Sequence, residues 1–115
     1  MKYFVTLDVG TTAVKAGVFT QALDAAALVI REYELLTPAP DQVELEPDTY
    51  WQNACAAVRA ALTQAGIAPA DVLTVTCTTQ GETLIPVDAQ GVPLHRAVVW
   101  LDGRARAEAA WIGGR

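Results

Sequence analysis

The sequence predicts an α/β domain, a mixed β-sheet with helical cover, and three observations point there. The chain has 115 residues, 52% of them hydrophobic, which suits one domain with a packed core and argues against intrinsic disorder. Its opening third holds β-rich stretches broken by a glycine turn. Its middle holds one well-bounded amphipathic helix, with more β-rich sequence after it. The resulting order is β-β-β-α-β with added strands.

Tyr3–Val9 is β-rich and mostly apolar, as a central strand is. Gly10-Thr11-Thr12 breaks it, and residues 14–20 resume with apolar side chains at alternate positions, so the two form a β-hairpin. Residues 28–36 supply a third strand, with Arg31, Glu32 and Glu34 marking a partly solvated stretch, and residues 38–41, Pro-Ala-Pro-Asp, are a loop. Pro47-Asp48 opens a helix, because proline suits the first turn and aspartate the N-cap or the positive end of the dipole. Trp51, Ala54, Cys55, Val58, Ala61, Leu62 and Ala65 share one face. That face predicts Trp51 as the anchor on the sheet and Cys55 as core, and Gly66 stops the helix. Residues 72–78 form a buried strand containing Cys77, and Thr79-Gln80-Gly81-Glu82 is a polar break. Residues 83–87 and 92–100 read as two strands about the turn Asp88-Ala89-Gln90-Gly91. Asp102 caps a last helix over residues 104–111.

Composition removes several function classes. Thirteen acidic residues against eight basic ones give a net charge of −5, which disfavours nucleic acid and anionic membranes as partners. No apolar run reaches the roughly 18–20 residues of a membrane span, and the apolar start is cut at Asp8, so it reads as a strand and not a secretory signal. Two cysteines, Cys55 and Cys77, make no disulfide framework, and a single histidine, His95, leaves no paired zinc spacing. A reduced, cytoplasmic setting is the expectation, with His95 facing solvent. The chain contains no serine, which excludes a Ser-His-Asp triad and a G-x-S-x-G elbow. P-loop and G-x-G-x-x-G fingerprints are also absent.

The strongest chemical signal is Asp8-Val9-Gly10-Thr11-Thr12-Ala13-Val14-Lys15. A carboxylate at the end of a buried strand needs compensation by a cation or by hydrogen-bond donors. Gly10 lets backbone approach a ligand, two hydroxyls and nearby N–H groups can hold oxygens, and Lys15 can aim a cation at the turn. Such a set suits phosphate and magnesium. The alternative is a hairpin in which Asp8 merely satisfies turn N–H groups.

Asp8-x-Gly-Thr-Thr-x-x-Lys, continuing to Gly17-Val18-Phe19, resembles the first phosphate motif of the FGGY family of carbohydrate kinases, relatives of glycerol and xylulose kinases. Two further segments are similar to that family in order and spacing. One is Thr78-Thr79-Gln80-Gly81-Glu82-Thr83, followed by Pro86-Val87-Asp88-x-x-Gly91-x-Pro93-Leu94; the other is Ala97-Val98-Val99-Trp100-Leu101-Asp102-Gly103-Arg104. The resemblance spans nearly the whole chain and implies the ribonuclease-H-like core of the actin/hexokinase-like superfamily, here truncated. Residues 1–115 would be the N-terminal portion of the family's first domain, with no second domain.

The same resemblance implies ATP and Mg²⁺ as cofactors and a sugar or polyol as substrate. Asp8 would help hold Mg²⁺, and Gly10, Thr11, Thr12 and Lys15 would line the nucleotide phosphates. Gln80, Gly81, Glu82 and Thr83 would face the substrate, where a carboxylate can accept from two adjacent hydroxyls and an amide can both donate and accept. Trp100 would offer a flat apolar wall. Asp102 would stand with Arg104 at the pocket edge, or the pair would brace the last helix. The catalytic base is expected downstream, outside this chain, so the chain by itself is expected to be inactive. A non-catalytic sugar- or nucleotide-binding module of the same fold is the rival reading, and self-association through surface left exposed is a further expectation. One departure bears on specificity. Glycerol kinases of this family carry arginine immediately before the glutamate, where this chain has Gly81, and that replacement removes a rigid hydrogen-bonding fork.

Overall fold

The structure is a computed structural model that describes residues 1–115. The chain divides into two compact units: residues 1–33 with 48–80, and residues 34–47 with 81–115.

The first unit is a four-stranded sheet and a helix. β1 (Tyr3–Val9), β2 (Ala13–Thr20), β3 (Ala25–Glu32) and β5 (Val72–Thr79) lie in the spatial order β3-β2-β1-β5. β1 runs antiparallel to β2 and parallel to β5, so the sheet is mixed as expected. The β1–β2 register pairs Val5 with Val18, Leu7 with Ala16 and Val9 with Val14. Because strand side chains alternate between faces, these residues share one face, and Val5, Val14, Ala16 and Val18 are at most 1% exposed. Helix α1 (Pro47–Ala65) covers that face with a stripe of small residues: Ala54, Ala57 and Ala61 are buried. Alanine lets helix and sheet approach closely. Arg31 of β3 ties the layers by donating Nε–H to Asn53 Oδ1 of α1 at 3.2 Å. Gly66, at φ 67°, ends α1 in a Schellman arrangement. Ile67 N–H reaches Leu62 C=O and Gly66 N–H reaches Thr63 C=O, which satisfies carbonyls that the last turn leaves open.

The second unit has little regular structure. β4 (Glu44–Leu45) and β6 (Ala97–Val98) are two-residue strands paired antiparallel, and α2 (Arg106–Gly113) is a short helix with no buried residue.

Several expectations shift. The third strand begins and ends earlier than 28–36, because the turn after β2 closes at once: Thr20 N–H bonds Asp24 C=O, and Leu23 takes φ 68°. The two strands expected at 83–87 and 92–100 shrink to isolated bridges, Leu84 with Val98 and Val87 with Pro93, leaving β6 as the regular remnant. Pro86 and Pro93 lack the N–H that a continuous ladder needs. Trp51 is 71% exposed and anchors nothing. It sits roughly a quarter turn from the alanine stripe, and its ring is too large for that close approach. Cys55 is half-buried rather than core, and Cys77 is exposed because β5 is an outer strand. His95 is exposed, as expected. The last helix starts at Arg106, beyond the expected 104.

Candidate functional site

Asp8 is the penultimate residue of β1, directly across from Lys15 of β2 and beside Thr78 of β5. Lys15 Nζ lies 3.5 Å from Asp8 Oδ2, with the two side chains 59% and 42% exposed. The carboxylate is therefore not buried, contrary to the sequence reading. The compensation it was expected to need comes from the neighbouring strand, and an exposed pair of this kind is weak. Both residues line a cavity of about 430 Å³ on the face of the sheet opposite α1, together with Thr6, Gly17, Thr76 and Thr78 among others. A Cβ on Gly17 would meet the Phe19 ring at 2.5 Å and Thr6 Oγ1 at 2.8 Å, so a larger residue there would displace those side chains.

The turn after β1 is built by Gly10. Its N–H donates to Ala13 C=O at 2.9 Å, and a Cβ on Gly10 would come within 2.9 Å of that same oxygen, so only glycine fits. Thr12 is exposed at the tip and Thr11 half-buried. Two residues hold the turn from behind. Tyr33 donates its hydroxyl to Gly10 C=O and its N–H to Thr12 C=O. Gln80 donates Nε2–H to Gly10 C=O at 3.3 Å and its N–H to Val9 C=O at 2.9 Å. Gln80, expected on the substrate side, thus spends its amide on the turn. Tyr33 is 9% exposed, edge-on to Tyr50 of α1 with centroids 5.6 Å apart. Burial, then the neighbouring Tyr50 and Asp8, push its phenol up to about 12. Burial raises the Tyr50 phenol as well, and Gln80 opposes part of that rise.

The remaining expected residues fall in the second unit. Glu82 is exposed and holds φ 63°, a left-handed backbone that costs a non-glycine residue about 1–2 kcal/mol and that tends to persist at functional positions. Gly81 is exposed, with nothing within 4 Å of an added Cβ. Thr83 Oγ1 accepts the Trp100 backbone N–H at 3.3 Å, so the two are neighbours, and Trp100 is 49% exposed.

Asp102 is held by protein partners. Its side chain is 3% exposed, Oδ1 accepts from Arg104 Nε at 2.8 Å, and Oδ2 accepts from Arg104 Nη2 and Val43 N–H, each at 2.7 Å. These bonds tie Asp102 and Arg104 to the Val43–Glu44 segment; the last helix is instead capped at Ala105 with no side-chain cap bond, so Asp102 does not cap it as expected. Arg104 Nη2 also reaches Glu44 Oε1 at 2.7 Å, and Arg96 bridges Glu44 and Glu46. The Arg104 guanidinium holds the Asp102 and Glu44 carboxyls below the usual carboxylate range. Glu44 was missed by sequence reading, and so was Tyr33. Glu44 is 5% exposed, but its partners lie more than fifty positions downstream, where no local pattern shows them.

No group of three or more His, Cys, Asp or Glu residues is placed to hold a metal. Mg²⁺ usually takes one or two carboxylates plus phosphate oxygens and water, so the single accessible carboxylate of Asp8 suits a metal that arrives with a nucleotide. No helix is long and apolar enough to cross a membrane.

The profile of the FGGY family of carbohydrate kinases, N-terminal domain, matches residues 3–113. A glycerol kinase of Rhodopseudomonas palustris (strain BisA53) is 37% identical over 105 residues, which cover 90% of this chain and 21% of that protein. A ligand-bound xylulose kinase from Lactobacillus acidophilus superposes with a TM-score of 0.88 at 26% identity, over all of this chain and 23% of that one. A glycerol kinase from Plasmodium falciparum, solved with ADP, shares the fold at a TM-score of 0.85 and 21% identity, over all of this chain and 23% of that one. The chain spans about a fifth of the length of the relatives it matches.

Proposed function

Since the chain belongs to the FGGY family of carbohydrate kinases, matching its N-terminal domain, we propose that it supplies the phosphate-gripping turn and part of the polyol site of an ATP-dependent sugar or polyol kinase. The observation that carries this reading is the turn itself. An accessible carboxylate and a lysine stand beside a glycine-built turn whose carbonyl is drawn away by two side chains.

Phosphoryl transfer asks a protein mainly for positioning and charge compensation. When bound, Mg²⁺ neutralises charge on the phosphate oxygens, and Asp8 would hold it. Lys15 would set a positive charge near the phosphates, and the Thr11–Thr12 turn would offer donors to their oxygens. On the substrate side, Glu82 would accept hydrogen bonds from adjacent sugar hydroxyls, Thr83 would stand beside it, and the Trp100 ring would pack against the carbon face of the sugar. Asp102 acts one step back, since with Arg104 it fixes the segment that follows Trp100. Gly81, in place of the arginine of glycerol kinases, favours a substrate other than glycerol, a larger sugar or sugar alcohol. The base that takes the hydroxyl proton is not among these residues.

The test is a coupled ATP-turnover assay over pentoses, pentuloses, hexuloses and polyols, using protein expressed from the complete reading frame. Sugar-dependent turnover is expected, falling roughly 100-fold or more in Asp8→Asn. The 115-residue chain alone is expected to show none. Turnover insensitive to Asp8→Asn overturns the assignment.

A further inference from the structure

The reading above assigns the ligand side of the turn; its rear is assigned to nothing. Gly10 is the only residue that fits the corner, but glycine permits a conformation without fixing it. Some other group must select the orientation of the 10–11 peptide plane. In a trans peptide the C=O of one residue and the N–H of the next point in opposite directions, and the chain has no cis peptide bond. Whatever holds the Gly10 carbonyl therefore also sets where the Thr11 N–H points.

We infer that the Tyr33 hydroxyl is a positioning residue for the phosphate turn: with Gln80 it captures the Gly10 carbonyl and so directs the Thr11 N–H to the opposite side. The inference rests on the phosphate reading of the turn. The two donors converge on one oxygen from different strand ends, Tyr33 from just beyond β3 and Gln80 from just beyond β5. Tyr33 also bonds the Thr12 carbonyl through its backbone N–H at 3.0 Å, so it holds two carbonyls of the turn. A carbonyl left facing a polyphosphate would repel it, and these bonds remove that repulsion. The ring cannot swing away, because it is 9% exposed and held edge-on by Tyr50. Its phenol, pushed up to about 12, keeps its proton at neutral pH and stays a donor.

The test uses the protein expressed from the complete reading frame and its variant Tyr33→Phe, which keeps the ring against Tyr50 and removes only the hydroxyl. Amide hydrogen exchange without ligand reads the turn itself. Exchange at Thr11 and Thr12 is expected to quicken about fivefold, the equivalent of one hydrogen bond, with the β1–β2 ladder unchanged. Titration with inorganic tripolyphosphate and Mg²⁺, followed by NMR shifts at residues 8–15, is expected to show affinity weakened about fivefold in Tyr33→Phe. Equal affinity in both proteins, or exchange that quickens across the whole sheet, overturns the positioning role and leaves the phosphate reading standing. Local quickening with no tripolyphosphate binding in either protein overturns the phosphate reading, and the functional role of Tyr33 falls with it. Tyr33→Leu, which loses both ring and hydroxyl, shows whether loss of packing alone produces the same pattern.

Discussion

The two units of this chain are held together by different physics. The first, residues 1–33 with 48–80, has continuous strand ladders and an apolar layer in which four sheet residues are at most 1% exposed beneath an alanine stripe. The second, residues 34–47 with 81–115, has two-residue strands. Besides the apolar Leu45, Ala97 and Val99 it buries charge, with Glu44 and Asp102 joined through the single guanidinium of Arg104. Hydrophobic burial is spread over many atoms and degrades gradually. A buried ion network fails when one member is removed, because the others are left charged and unpaired.

The largest effect is therefore expected in the second unit. Arg104→Leu leaves the nearly buried Asp102 without a cation and Glu44 with Arg96 alone, 3.6 Å away, and should abolish amide protection across residues 34–47 and 81–104 while the β1–β2–β3 ladder keeps its own. Hydrogen exchange measures this directly, and retained protection at Val43 and Val99 would show that the network is dispensable. Acid should reproduce the defect. Both carboxyls titrate below their ordinary values in the fold, so their contribution is present above about pH 4–4.5, the unfolded range. It is lost as pH falls through the lowered values. The first unit should fail at the opposite extreme, because the Tyr33 phenol rises from 10.0 to about 12. That contribution is whole below pH 10 and drains away as pH climbs toward 12. Amide protection followed in both directions should therefore vanish first in the second unit at acid pH and in the first unit at alkaline pH.

In the first unit the expected losses are graded. Val18→Ala removes two methyl groups from a fully buried site and should cost about 2 kcal/mol. Urea titration is the measurement, with the slope unchanged. A cost below about 0.5 kcal/mol would mean that α1 settles into the gap, and that the alanine interface is looser than its burial indicates.

The same contrast explains what was legible in the sequence. Alternation and helical spacing report apolar layers, and they located β1, β2, α1 and β5 and the mixed sheet. They overestimated Trp51, because spacing shows which side chains share a face but not how close the opposing layer comes. The second unit carries little periodicity: prolines at 86 and 93 erase the ladder that the flanking residues suggest, and Glu44 meets Arg104 across sixty positions. The candidate site divides along the same line. Asp8, Gly10 and Lys15 were readable because their chemistry is local to one turn. Tyr33 was not, because it reaches that turn only once β3 is paired to β2.

Glu82 gives a smaller and opposite effect. It holds a left-handed backbone at φ 63°, and glycine adopts that conformation without steric cost while losing more entropy on folding. Glu82→Gly should therefore leave stability unchanged or raise it by up to about 1 kcal/mol in thermal unfolding, while the complete protein loses sugar affinity. A stability loss with sugar KM unchanged would make Glu82 a structural residue and remove it from the polyol site.

The smallest effect on stability is expected next door, and it separates fold from specificity most cleanly. Gly81 lacks the positive φ of Gly66 and Gly91, and a Cβ there would meet nothing within 4 Å. Neither backbone nor packing in the described structure requires glycine at this position, so Gly81→Arg should change stability by no more than about 0.5 kcal/mol. Its consequence should instead be chemical, since a guanidinium fork would stand immediately before Glu82, as in glycerol kinases. In the complete protein, turnover with glycerol is expected to rise relative to larger sugars, seen as a shift in the ratio of kcat/KM values with thermal stability held constant. A variant that folds normally but leaves that ratio unmoved would show that residue 81 does not reach the substrate, and specificity would then have to be sought at residues other than 81.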